Sequence, residues 1–153
     1  MKNWKQRIIQ LGLEFPPSPK PVGAYVPARR SGKLVFTSGQ LPLKDGKLIF
    51  SGKVPADVSL EQAMHCAAQA VLNALAAADS VIDASEDIAG IIRLNVFVNS
   101  SPGFTEQAKV ANGASELLTD ILGPAGAHTR CAIGAAELPL NAPVELDLVI
   151  EVK

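Results

Sequence analysis

From Val144 to Val152 the chain is apolar at every second position, with Glu145, Asp147 and Glu151 between. Side chains on a strand point alternately to opposite faces, so this stretch predicts a strand with one face in a core and the other left polar. Such a strand needs a second layer to bury its apolar face, and the rest of the chain supplies one. Ser59-Leu60-Glu61-Gln62 has the form of a capping box, in which Ser59 caps a helix and Gln62 reaches back to it. From there Leu60, Met64, Ala67, Val71, Ala74, Leu75 and Ala78 recur at three- and four-residue spacing, predicting an amphipathic helix with Met64 in the core. A second helix is predicted over 105–122, with Val110, Ala114, Leu117, Leu118 and Ile121 on one face and Gly123-Pro124 as its stop.

Residues 33–38, rich in β-branched and aromatic side chains and closed by Gly39, read as a strand. Lys44-Asp45-Gly46-Lys47 turns the chain into a short strand at 48–50, and 91–98 and 129–136 add two more. Near the N-terminus Trp4, Ile8, Ile9 and Leu11 to Leu13 suggest a short helix, which the proline run over 16–21 cannot continue. The order strand, strand, helix, strand, helix, strand, strand argues for an α+β fold, with a mixed sheet carrying two helices on one face. At 153 residues one domain spanning 1–153 is expected, of which 1–20 form a helical and proline-rich extension.

Charge excludes some partners. With 14 basic against 15 acidic residues the net charge is −1, which offers no general attraction for a phosphate backbone, so nucleic acid is not favoured. The densest basic group, Arg29, Arg30 and Lys33, reads as a solvated turn beside a strand. The first 13 residues are amphipathic but lack a continuous apolar region, so a cytoplasmic protein without a membrane span is expected. Cys66 and Cys131 then read as free thiols.

No phosphate or dinucleotide loop is present, and His65, Cys66, His128 and Cys131 have no spacing that would assemble a zinc tetrahedron. No metal and no cofactor are expected; His65 reads as helix surface and His128 as a loop residue. Neither Ser38 nor Cys131 has the context of an activated nucleophile. What remains is a polar set: Tyr25, Ser38-Gly39-Gln40, Asn112, Arg130 and Glu145. Arg130 opens an otherwise apolar strand, a costly place for a permanent charge unless it meets an anion or a carboxylate. Two readings stay open: an ion pair with Glu145 on the adjacent strand, or a ligand site.

Pro21-Val22-Gly23-Ala24-Tyr25, the stretch from Val35 through Ser38-Gly39-Gln40 to Pro42, and Arg130 through Leu138-Pro139 to Val144-Glu145-Leu146-Asp147 resemble, in order and spacing, the signatures of the YjgF/Rid family. This is the family of reactive-intermediate deaminases, also labelled endoribonuclease L-PSP-like. The resemblance covers roughly 21–153 and implies a chorismate mutase-like fold, three subunits around a central barrel, and ligand clefts between neighbours. By position, Arg130 is similar to the arginine that binds a substrate carboxylate, Glu145 to the acidic residue associated with the reacting water, and Tyr25 to the aromatic residue of the cleft. Gly39 resembles the glycine whose backbone approaches the ligand, with Ser38 beside it, Cys131 beside Arg130 and Asn112 as the asparagine of the second helix. Gly39 also suits the turn closing its strand, and Asn112 suits a cap or a packing role. The chain departs from the pattern at Gly134, where the family carries an acid, and at Glu137, where it carries a base, and its N-terminal extension is additional to compact members.

The resemblance implies a cofactor-free homotrimer that hydrolyses small enamine or imine acids of the 2-aminoacrylate type to 2-oxo acids and ammonia. Its partner would be a small carboxylate-bearing metabolite. A non-catalytic trimer that senses such a metabolite would use the same residues. An endoribonuclease or translation inhibitor has little support from balanced charge and 5% aromatics.

Overall fold

The computed structural model describes residues 2–20 and 23–153, so Met1 and the Pro21-Val22 start of the first motif lie outside the described residues. In chain order the elements are α1 (Asn3–Gln10), β1 (Ala28–Ser31), β2 (Leu34–Thr37), β3 (Leu43–Lys44), β4 (Lys47–Leu48), α2 (Leu60–Asp79), β5 (Ile88–Asn99), α3 (Gln107–Leu122), β6 (Thr129–Ala135) and β7 (Val144–Val152). Five strands form one mixed sheet in the order β1-β2-β7-β5-β6, with only β5 and β6 parallel. This is the α+β architecture expected from the element order.

The alternation in β7 places Val144, Leu146, Leu148, Ile150 and Val152 in the core beneath α2 and α3. α2 starts at the capping box: the Gln62 amide donates to Ser59 Oγ at 3.1 Å, and the Ser59 amide donates to Gln62 Oε1 at 3.0 Å. Its alanine-rich face lets α3 approach closely. A Cβ at Gly113 would lie 2.2 Å from the Met64 carbonyl oxygen, so only glycine permits this crossing. Met64, expected in the core, is half-buried at this contact instead.

Several boundaries differ from expectation. Arg29 and Arg30 lie on β1, an edge strand paired with β2, and not in a turn; Arg30 makes a two-point ion pair with Glu86. The strand expected at 48–50 is half of a separate two-residue hairpin, β3-β4, turned by Asp45 and Gly46, both at positive φ. β5 is longer than 91–98, because its first residues pair with the end of β7.

α1 packs into the core through Trp4 and Ile8, with Trp4 edge-on to Phe15 at 5.3 Å. It brings Lys2 and Lys5 to Asp79 at the C-terminal end of α2, and Arg7 Nε to the Asp120 carbonyl of α3 at 3.0 Å. Arg7 thereby satisfies a terminal carbonyl of α3, and cations near a helix C-terminus interact favourably with its dipole. Among the described residues, no helix is long and apolar enough to cross a membrane, and no three His, Cys, Asp or Glu side chains gather to hold a metal ion.

Candidate functional site

β6 is an edge strand, and along it Arg130 lies opposite Leu94 of β5, which is buried under the helices. Arg130 therefore emerges on the helix side of the sheet, where β6 runs out from under α3. There its Nη1 donates to Asn112 Oδ1 at 2.8 Å and to Ser115 Oγ at 3.1 Å. Asn112 and Ser115 sit three residues apart, on one face of α3. Behind them His128 lies 2.9 Å from Ser115 Oγ through Nε2 and 2.6 Å from the Gly126 carbonyl through Nδ1. Arg130 is exposed, and among the described residues it meets no carboxylate and its Nε and Nη2 make no hydrogen bond.

Glu145 begins at the other face. It follows buried Val144 and precedes buried Leu146, so its side chain leaves the sheet away from the helices, alongside Phe97. β2 pairs with β7 at Phe36–Val149 and again at Gln40–Leu146, where the backbones exchange bonds of 2.7 and 3.1 Å. One more residue is used on the β2 side than on β7, a bulge at Thr37-Ser38-Gly39. Thr37 Oγ1 fills the gap by accepting the Leu148 amide at 2.9 Å. The bulge presses Gly39 onto Glu145: a Cβ there would lie 2.2 Å from Glu145 Oε1. Ser38 Oγ donates to the Val26 carbonyl at 2.6 Å, and Gln40, only 7% exposed, donates from Nε2 to the Ser38 carbonyl at 3.1 Å. Burial pushes the Glu145 carboxyl above its ordinary value, and neighbouring Asp147 on the same face adds to the rise. Tyr25 stands on the segment entering β1 and is 51% exposed.

Of the two readings left open for Arg130, the ion pair with Glu145 is absent. β5 lies between β6 and β7, and the two side chains leave opposite faces of the sheet. The candidate residues thus divide into two groups. Arg130 and Asn112 form one, joined by Ser115 and His128, which sequence reasoning missed. Glu145, Gly39 and Ser38 form the other. Cys131 shares the open face with Asn95 and Asp147, so its side chain points away from that of Arg130. The sequence did hold a signal for the missed pair: Ser115 is one helical turn from Asn112, and His128 is two residues before Arg130, the same-side spacing of an extended chain.

The two departures are absorbed locally. A Cβ at Gly134 would meet Gln107 Nε2 at 3.0 Å and Ser100 Oγ at 3.1 Å, so an amide occupies the space of a larger side chain. Glu137 forms an ion pair with Lys53 at 3.1 Å. Burial raises the Cys66 thiol to about 12, leaving it protonated and inert.

Comparison with known proteins adds four findings. The sequence model of the family described as "YjgF/chorismate mutase-like, putative endoribonuclease" matches residues 5–152, taking in most of α1. Protein TCP17 of Trypanosoma cruzi is 37% identical over 143 residues, covering 93% of this chain and 89% of that protein. Among solved structures, Atu1372 of Agrobacterium tumefaciens, of unknown function, is 40% identical with a TM-score of 0.90, over 98% of this chain and 92% of that one. TdcF of E. coli, solved with bound serine, is 25% identical with a TM-score of 0.62, over 88% of this chain and 92% of that one. Coverage of 98% leaves no room to omit α1, so the N-terminal helix is shared with Atu1372 and is not peculiar to this chain.

Proposed function

The chain belongs to the YjgF/chorismate mutase-like family, and from that premise we propose that it hydrolyses small enamine or imine acids to 2-oxo acids and ammonia in a cleft between two copies of itself. One observation carries the reading: Arg130 is held by neutral acceptors at an exposed edge, with Nε and Nη2 left over among the described residues, while Glu145, whose carboxyl burial raises above its ordinary value, lies on the opposite face. A guanidinium fork so placed suits a planar carboxylate bound through two parallel hydrogen bonds. The serine bound to TdcF supports a ligand of this kind.

The chemistry follows from the residues. Arg130 of one copy fixes the substrate carboxylate, setting the imine carbon beside a water next to Glu145 of a second copy. Water adds to that carbon as Glu145 takes one of its protons and passes it to the imine nitrogen, giving a carbinolamine; the remaining hydroxyl proton then moves to the same nitrogen as the C–N bond breaks, leaving the 2-oxo acid and ammonia. A carboxyl raised above its ordinary value is the better base for this step. Gly39 leaves room for the Glu145 carboxyl itself, and Tyr25 lines the entrance. No metal or organic cofactor is needed. The endoribonuclease name of the family finds less support, because net charge −1 and 5% aromatics give no basic, stacking groove.

The test is release of ammonia and 2-oxo acid from freshly generated 2-aminoacrylate, with solution mass measured alongside. Arg130→Lys subunits, impaired tenfold or more alone, and Glu145→Gln subunits, inactive alone, should recover activity when refolded together. In a ring where each cleft takes one residue from each neighbour, random mixing restores about a quarter of the clefts. No recovery in well-formed mixed assemblies would refute the shared cleft, and tight carboxylate binding without turnover would make the protein a sensor.

A further inference from the structure

We propose that His128, acting through Ser115, is the positioning residue that holds Arg130 in the orientation for carboxylate recognition, an inference that rests on the reading of Arg130 given above. The Gly126 carbonyl can only accept, so at 2.6 Å it fixes the proton of His128 on Nδ1. With the ring carrying that one proton, Nε2 presents a lone pair, and Ser115 Oγ, 2.9 Å away, donates to it. With its proton turned towards His128, the Ser115 oxygen offers lone pairs to Arg130 Nη1 at 3.1 Å. The chain of donors has one direction: Arg130 to Ser115, Ser115 to His128, His128 to Gly126.

Remove the imidazole and the hydroxyl loses that constraint. A serine inside a helix readily donates back to the carbonyl one turn earlier, and its proton can also swing towards the guanidinium, where donor faces donor. Asn112 accepts from the same Nη1, so the two acceptors together aim one edge of the guanidinium inward and leave Nε and Nη2 facing out. The anchor at the far end is rigid: Gly126 is buried, and a Cβ there would lie 2.4 Å from the Leu118 carbonyl oxygen, so its peptide rests on the α3 backbone. Both ring nitrogens of His128 are engaged within the chain, so it acts on Arg130 and not on substrate.

The experiment compares Ser115→Ala, His128→Phe and His128→Gln. Pyruvate serves as the carboxylate probe, and the variants are also made in an Arg130→Lys background. Glutamine can still accept from Ser115, whereas phenylalanine fills the space without an acceptor. Ser115→Ala and His128→Phe should weaken pyruvate binding and raise KM roughly tenfold, the size of one lost hydrogen bond to a charged group, with kcat within about twofold. His128→Gln should bind nearly as wild type. In the Arg130→Lys background Ser115→Ala should have no further effect, because the two act as one unit. Wild-type affinity in Ser115→Ala and His128→Phe, or costs that add to that of Arg130→Lys, would overturn the inference. If the wild-type protein neither binds pyruvate nor hydrolyses imines, the carboxylate reading falls by itself. The order of the Arg130 Nε–H group by ¹⁵N relaxation then decides this inference separately: mobility gained in His128→Phe supports it, and unchanged order overturns it.

Discussion

Adding one methyl group at Gly39 separates a catalytic role for Glu145 from a structural one. In Gly39→Ala the new Cβ would meet Glu145 Oε1 at 2.2 Å, against about 3.4 Å for ordinary contact, so the carboxyl must retreat by roughly 1.2 Å. It can do so at small cost, because Oε1 is the free end of a flexible side chain and the backbone at Gly39 needs no positive φ. The fold should lose less than about 1 kcal/mol. A displacement of this size at a reacting group is worth on the order of a hundredfold in rate. Gly113→Ala is the control with the opposite signature: its Cβ would strike the Met64 carbonyl at the same 2.2 Å, but backbone cannot rotate aside. Overpacking there costs about 1–3 kcal/mol, offset by up to about 1 kcal/mol from the better helix former. Melting temperature and imine hydrolysis measured on both variants give the comparison. Wild-type turnover in Gly39→Ala would remove the Glu145 carboxyl from the chemistry, and unfolding of that variant would refute the claim that the carboxyl gives way.

Three further substitutions extend the test. Arg130→Lys keeps the charge and loses the fork; it should stay folded yet lose tenfold to hundredfold in kcat/KM, and a stable variant with wild-type turnover would clear Arg130 from the site. Glu145→Gln should abolish hydrolysis while stabilising the separated chain: the folded-state carboxyl is raised above 4.5, so ionising it costs stability as pH climbs from that ordinary value through the raised one. The difference in melting temperature from wild type should therefore vanish in acid and be full at neutral pH, and an equal difference at all pH values would contradict the assigned cause. Cys131→Ala should keep most activity, since its thiol lies on the face away from the Arg130 side chain, and complete loss in a folded protein would overturn the water mechanism.

What the sequence made legible was local. The alternation of β7 and the capping box of α2 each express a rule spanning a few residues, and the structure contains both as read. β1 escaped because Ala28-Arg29-Arg30-Ser31 has no strand propensity; it is extended only because β2 offers it an edge. The site was harder, because its geometry is set by strand order. β6 and β7 are near in sequence, and that nearness suggested adjacency. Yet the strand-helix-strand run of β5, α3 and β6 is a crossover, which brings β6 back parallel beside β5 and leaves β7 on the other side. The face on which Arg130 and Glu145 emerge follows from register, and no local pattern gives it.

The departures from the family pattern bear on which ligands the Arg130 group would accept. Residues 130, 132 and 134 share one side of β6, so an acid at 134 would stand on the same side as the guanidinium. Here that position is Gly134, and the space beside it is taken by the Gln107 amide, which is neutral. Glu137, although acidic, is neutralised by Lys53, whose ammonium also donates to Asn99 Oδ1 at 2.9 Å and to the Ala136 carbonyl. His128 is committed to Ser115 and Gly126 as a neutral ring in the chain of hydrogen bonds proposed above, and Asn112 carries no charge. Arg130 is then the one uncompensated charge among these side chains. Exchanging an acid for glycine makes the surroundings of the guanidinium more favourable to an anion, so the departures weaken no part of the carboxylate reading. They bear instead on the part of the ligand remote from the carboxylate, where the missing side chain at 134 leaves room beside Gln107 and Ser100.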